Sequence, residues 1–141
     1  MRRPFHKLSG AGNDFVLVTG RAGPALARRL CDRLRGIGAD GLLAVERRRG
    51  GVSLSYFNAD GSRAFCGNGS RCAAWWAYRQ GWTGGRKEFT LATARGALRA
   101  RITGARRAAV QMPAPRNIRL SRKLKALGRN LTLHSLDTGV P

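Results

Sequence analysis

The chain has 141 residues and a mass of 15.3 kDa, with 27 basic against 7 acidic side chains and a formal charge of +20. Since 43% of its residues are hydrophobic, and a folded chain of about 150 residues buries roughly 68–70% of its extended surface, wholesale disorder is excluded. No apolar run approaches the ~18 residues of a membrane span, and the first residues lack a secretory core, so the expectation is a soluble cytoplasmic protein with free thiols and no membrane partner.

Short apolar runs broken by Gly, Asn and Asp alternate with two helical stretches, which predicts a mixed α/β (α+β) class. Residues 5–8 and 15–19 read as strands joined by a loop at 10–14. The first helix follows: Pro24 suits an opening turn, Leu26, Leu30 and Leu34 recur at i+4 beside Ala27 and Cys31, and Gly36 supplies a stop. Residues 42–46 and 52–57 read as strands around a hairpin loop at 47–51. The second helix begins around Gly67 to Ser70, runs to about Gln80, carries Ala, Trp75, Trp76 and Tyr78 on most of its sides and ends at Gly81. A helix without a polar face is a buried one, so this element is the centre round which a mixed sheet wraps. Residues 89–93, 98–102 and 108–112 form a meander turning at Arg95-Gly96 and Gly104-Ala105. Pro113 and Pro115 break the pattern. A Leu-spaced basic stretch then runs from Arg116 to Leu127, Gly128 stops it, and residues 131–136 alternate like a further strand before a turn at 137–141. These breaks set a first domain at 1–113, and at 114–141 a linker with the opening strand of a second, incomplete domain.

Of the 27 bases, 23 are Arg, scattered with short clusters at Arg2-Arg3, Arg28-Arg29, 47–49 and Arg106-Arg107. Charge alone supports a basic nucleic-acid-binding module, but no stacking or groove-reading motif accompanies it, so non-specific contact with nucleic acid is the most it implies. The scarce acids are more telling, because Asp14, Asp40 and Asp60 lie in glycine-rich turns, where they shape backbone.

Gly36-Ile-Gly-Ala-Asp-Gly41 spells a dinucleotide-binding fingerprint, but it follows a helix and enters a strand, the reverse of what pyrophosphate binding requires, and reads as a structural turn. Zinc is not expected either: no C-x-x-C exists, and the histidines are His6 and His134 alone. The segment that promises chemistry is Cys66-Gly-Asn-Gly-Ser-Arg-Cys72. A cysteine just before a helix meets unpaired backbone N–H groups and the positive end of the helix dipole, and both stabilise negative charge on sulfur. Gly67 and Gly69 let the same N–H groups come close to a substrate carboxylate. Cys31 and Cys72, among Leu, Ala and Trp, read as packing residues, and no Cys-His relay can be assembled.

Phe5-His-Lys-Leu-Ser-Gly-Ala-Gly-Asn-Asp-Phe15, Arg35-Gly-Ile-Gly-Ala-Asp-Gly41, Phe57-Asn-Ala-Asp-Gly-Ser62, the Cys66-to-Cys72 segment and Val110-Gln-Met-Pro113 occur in that order, and the chain resembles the diaminopimelate epimerase family. The resemblance implies two pseudo-symmetric domains, each a sheet wrapped round a helix. It also implies cofactor-free interconversion of LL- and meso-diaminopimelate, in lysine and peptidoglycan precursor synthesis, by two cysteines acting on opposite faces of the α-carbon. It carries over Cys66 as one catalytic cysteine, Asn13 and Asn58 as substrate contacts, and Gly67 with Asn68 as the carboxylate-holding turn. It allows a homodimer for a full-length member. The second cysteine is expected in the second domain, beyond these 141 residues, so the chain alone is expected to be inactive, with an unpaired sheet edge and an unburied stretch from Arg116 onward. Gly41 stands where some members have Gln, and Val140 where they have Asn. A racemase of the same fold acting on another amino acid is the alternative.

Overall fold

A computed structural model describes residues 3–138, which fall in two compact units, Met1–Gln111 and Met112–Pro141. The expected last turn falls partly at residues 139–141, and these, with Val140 among them, lie outside the described residues.

In the first unit the order is β1 (Phe5–Gly10), β2 (Asn13–Thr19), α1 (Pro24–Cys31), β3 (Gly41–Arg48), β4 (Gly51–Asn58), α2 (Gly67–Arg79), β5 (Glu88–Thr93), β6 (Gly96–Gly104) and β7 (Arg107–Val110). The seven strands lie side by side in sequence order. Pairing is antiparallel except where a helix intervenes: β2 runs parallel to β3 across α1, and β4 parallel to β5 across α2. Such parallel neighbours need a long crossover, which the two helices supply.

Period-two alternation decides which helix each side chain meets. Phe15 and Leu17 of β2, with Leu43 and Val45 of β3, join Ala73, Ala74, Trp76 and Ala77 of α2 in one core. Val16 and Val18, with Leu42 and Ala44, turn the other way and pack on Ala27 and Cys31 of α1. Both faces of β2 and β3 are therefore covered, which is why these strands read as near-continuous apolar runs. The core around α2 also takes in Val52, Leu54, Leu91, Ala100 and Ile102, and α2 touches both end strands, β1 and β7. The sheet thus curls round α2, as the helix's lack of a polar face predicts. At its end Gly81 (φ +72°) turns the chain, its N–H bonding Tyr78 O at 2.9 Å while Trp82 N–H bonds Ala77 O at 3.0 Å. That closes the last turn on its own carbonyls.

Three local expectations change. The first helix stops at Cys31, because the Asp32 carboxylate accepts the N–H groups of Leu34 at 2.8 Å and Arg35 at 2.9 Å and holds a non-helical turn. Leu34 is left 94% exposed instead of joining the apolar stripe. Gly36 serves close approach and not helix termination: a Cβ there would lie 2.3 Å from Arg29 O. The loop expected at 47–51 is mostly strand, with Arg48 opposite Gly51 and only Arg49 and Gly50 in the turn.

The second unit contains β8 (Arg116–Ala126) and β9 (Arg129–Asp137), paired antiparallel with two register shifts. The basic Leu-spaced stretch is thus a strand with a partner. Both strands remain exposed along almost their whole length.

Candidate functional site

The register β2–β3–β4 places Phe15 opposite Gly41 and Gly41 opposite Asn58. The start of β2, the start of β3 and the end of β4 therefore share one end of the sheet. Gly10 brings the first turn of α2 to this end: a Cβ on it would stand 2.6 Å from Cys72 Sγ and 3.4 Å from Asn68 O, so β1 can lie against the helix only without a side chain there.

Asn13 and Asn68, 55 residues apart in sequence, meet directly, Asn68 Nδ2 donating to Asn13 Oδ1 at 2.6 Å. Asn13 Nδ2 donates in turn to Asp40 Oδ2 at 3.0 Å, and Arg71 donates to Asn68 Oδ1. Each amide is thus oriented by its neighbours. Below them Asp14 and Asp40 are laced together: Asp14 N–H donates to Asp40 Oδ2 at 3.1 Å and Asp40 N–H to Asp14 Oδ1 at 3.0 Å. Arg33 bridges both carboxylates at 2.8 Å, and Lys7 Nζ reaches Asp14 at 2.8 Å. The Arg33 guanidinium, then the Lys7 ammonium, holds the Asp14 carboxyl well below the usual carboxylate range. The two aspartates therefore do shape backbone, and they do so by locking the β2 and β3 entries to each other.

Asn58 is fixed by a separate chain. Tyr56 Oη donates to Asn58 Oδ1 at 2.9 Å, Asn58 Nδ2 donates to Ser62 Oγ at 2.9 Å, and Ser62 Oγ donates to Asp60 Oδ1 at 2.6 Å. Burial, reinforced by the nearby Cys66 sulfur, pushes the Tyr56 phenol up to about 12, so it remains a donor to Asn58 throughout the neutral range. Tyr56 depends on Gly41, since a Cβ at 41 would lie 2.4 Å from the Tyr56 ring and 2.7 Å from Phe57 O. Sequence reading saw Tyr56 only as part of a strand alternation. The signal available was its position two residues before Asn58, which puts both on one face of β4.

Cys66 is the N-cap of α2, in extended backbone (φ −136°), with its Sγ accepting the Gly69 N–H at 3.3 Å. The Gly67 and Asn68 N–H groups come next, in the first turn, where no intrahelical acceptor exists. Cys66 is half-buried, whereas Cys31 and Cys72 are buried. Burial raises the thiol of Cys31 and pushes that of Cys72 up to about 11, keeping both protonated. Gly69 has a role that the sequence did not reveal: a Cβ there would meet Leu43 Cδ2 at 2.9 Å, so it is needed for helix-to-sheet packing. The arrangement offers a partly accessible sulfur, two first-turn backbone N–H groups and two oriented carboxamides around one helix start.

A sequence-family model described as "Diaminopimelate epimerase" matches residues 5–118. The chain is 44% identical over 121 residues to a diaminopimelate epimerase of Acidiphilium cryptum, covering 81% of this chain and 43% of that protein. It is 32% identical over 152 residues to the diaminopimelate epimerase of Hydrogenobaculum sp., covering 96% of this chain and 54% of that protein. An O-ureido-serine racemase of Streptomyces lavendulae is 48% identical over 86 residues, covering 55% of this chain and 30% of that protein. The chain thus spans about half the length, or less, of these curated relatives. Among solved structures, a phenazine biosynthesis protein of the PhzF family from Bacillus anthracis superposes with a TM-score of 0.60 at 15% identity, over 86% of this chain and 42% of that one. That likeness concerns the fold alone, a curled mixed sheet with few helices.

Proposed function

The chain belongs to the diaminopimelate epimerase family, and from that premise we propose that it supplies one half of the active site of a cofactor-independent amino-acid epimerase acting on diaminopimelate, with Cys66 as one of two acid/base groups. The observation that carries the proposal is the Cys66 sulfur at the α2 N-cap, with the Gly69 N–H directed at it and the oriented Asn68 carboxamide in the same first turn. The sulfur thus sits at the helix start with a backbone donor facing it. The first-turn Gly67 and Asn68 N–H groups suit the substrate α-carboxylate, and Asn13 and Asn58 offer further polar contacts.

In this reading the Cys66 thiolate takes the α-proton and becomes a thiol, while a second group on the opposite face delivers a proton to the carbanion. No electrons are transferred to or from a redox partner, and the proton count balances. Cys31 and Cys72 are buried and held protonated, so neither is assigned the opposing role. That group has to come from outside the three cysteines of this chain. A cytoplasmic place in lysine and peptidoglycan precursor synthesis, with a homodimeric full-length protein, accompanies the reading.

Incubating the protein with diaminopimelate in deuterated water tests it. Deuterium incorporation at the α-carbon that disappears in Cys66→Ala and survives in Cys72→Ala is expected once the opposing half-site is supplied. Unchanged exchange in Cys66→Ala would overturn the assignment. The second reading, a racemase for another polar amino acid, is favoured by one feature: Gly41 presents no side chain, and the Tyr56 ring fills the space beside it. Competition between diaminopimelate and O-ureidoserine in the same exchange assay separates the two.

A further inference from the structure

At the other end of α2 lies a cleft of about 580 Å³ whose lining includes Arg47, Arg48, Arg49, Thr83 and Arg86. The helix that separates it from Cys66 has 13 residues, a span of about 20 Å at 1.5 Å per residue, so the cleft is distinct from the thiol site. The end of β3 supplies Arg47 and Arg48, the β3–β4 turn Arg49, and the segment after α2 Arg86.

Two features make this more than scattered surface charge. Arg48 is tied to Glu46 at 3.0 Å and to Ser53 Oγ at 3.3 Å, and Arg86 Nε donates to Thr83 O at 3.2 Å, so two guanidiniums are held in place by the fold. Glu46 is the sole carboxylate paired with any of these arginines among the described residues, so the cluster keeps a strong positive excess. The α2 C-terminus offsets only about half a charge. Thr83 is 1% exposed, and its Oγ1 has no hydrogen-bond partner among the described residues. A buried hydroxyl without a partner is unfavourable, and this one belongs to a residue lining the arginine cleft, beside Trp82.

We propose that this cleft binds a phosphate-bearing small anion, of about the size of a diphosphate. Planar guanidiniums match phosphate oxygens in pairs and stay charged at every physiological pH. The Thr83 hydroxyl gives one further bond that a carboxylate, with fewer oxygens, would not need. A single localised cluster beside a hairpin turn suits a compact ligand, whereas a polymer requires a basic track.

Inorganic pyrophosphate titrated calorimetrically at about 150 mM salt, where diffuse attraction is screened, reads the site. One saturable site is expected, weakened at least tenfold in the Arg49→Ala/Arg86→Ala pair and unchanged in the Arg119→Ala/Arg122→Ala pair, which removes the same charge elsewhere. Thr83→Val should weaken binding several-fold and Thr83→Ser should restore it. Absence of saturable binding, equal losses in both arginine pairs, or an unaltered Thr83→Val would overturn the proposal. So would a single-stranded oligonucleotide that binds more tightly than pyrophosphate at the same salt and loses affinity equally in both pairs. Should the double variant unfold, the Arg49→Ala and Arg86→Ala single variants take its place, each expected to lose affinity.

Discussion

Strands β2 and β8 both carry aliphatic side chains, yet these end in opposite environments. Phe15, Val16, Leu17 and Val18 have at most 1% of their surface exposed, whereas Ile118 and Leu120 are 60% and 68% exposed. The difference lies in what stands on either side. β2 is enclosed by α2 on one face and α1 on the other, while β8 has β9 as its hydrogen-bonding partner and no core of its own. Strand pairing satisfies backbone groups in both, but only removal of apolar surface from water supplies a large stabilising term. An isolated two-stranded hairpin is marginal in water, so the two units are expected to differ sharply in cooperativity.

The largest effect is expected for Trp76→Ala. Trp76 is buried on α2 and stacks edge-on against Trp82 at 5.0 Å, and its loss should cost the first unit about 3–5 kcal/mol in urea unfolding. A loss below about 1 kcal/mol would mean that α2 is not the centre of the sheet. Gly41→Ala comes next, at about 1–3 kcal/mol, because the new methyl group meets Phe57 backbone and the Tyr56 ring together. The same variant should displace Tyr56. In an ultraviolet titration the wild-type protein should show a tyrosine ionising near 12, lost in Tyr56→Phe and shifted in Gly41→Ala.

A pH series probes the ionic lacing of the first unit. The native carboxyl of Asp14 is depressed, so its stabilisation is complete above the unfolded value of about 3.9 and is lost as pH falls below it. Unfolding free energy should therefore drop between about pH 4 and pH 2, and Asp14→Asn should flatten that slope. An equally steep slope in the variant would assign the acid sensitivity to other groups. The smallest effect is expected for Leu131→Ala in β9, within about 0.5 kcal/mol for the first unit. In hydrogen exchange β8 and β9 should lose protection well before α2, and equal protection would erase the contrast between the units.

Thiol labelling addresses the site in the same comparative way. Near neutral pH an alkylating agent should modify half-buried Cys66 well before Cys31 and Cys72, whose buried thiols are held protonated. Equal rates for all three would remove the distinction on which the chemistry rests.

The sequence disclosed what repeats along one element and hid what depends on contacts between distant ones. The α2 span, its Gly81 terminator and its burial follow from a local apolar pattern, and they match the structure closely. The end of α1 was misjudged because Asp32 competes for backbone N–H groups, an effect that periodicity in Leu26, Leu30 and Leu34 does not register. Cys66 was legible as a helix cap from its glycine-rich neighbours. The Asn13–Asn68 hydrogen bond, the Tyr56–Asn58 pair and the packing duty of Gly69 were not, because each depends on strand register or on helix-to-sheet distance. The cluster 47–49 was visible as charge, but its meeting with Thr83 and Arg86 needed the turn of β3–β4 to be placed beside the end of α2.

The parallel pairing of β4 with β5 has a consequence in time. It spans only Gly51 to Ser53 opposite Thr90 to Ala92, and the whole of α2 must be laid down before it can form. Local hairpins such as β1–β2 and β3–β4 close on the order of microseconds, whereas contacts across such a crossover bear a larger loop-closure cost and arrive later. The core round α2 draws on strands from both sides of that crossover, so the helix is anchored only when the late pairing is complete. The Cys66 cap inherits this delay. In a pulse-alkylation experiment during refolding, burial of Cys31, whose core cluster draws on α1, β2, β3 and β4, should precede burial of Cys72, and simultaneous burial would indicate that the two halves of the sheet condense in one step.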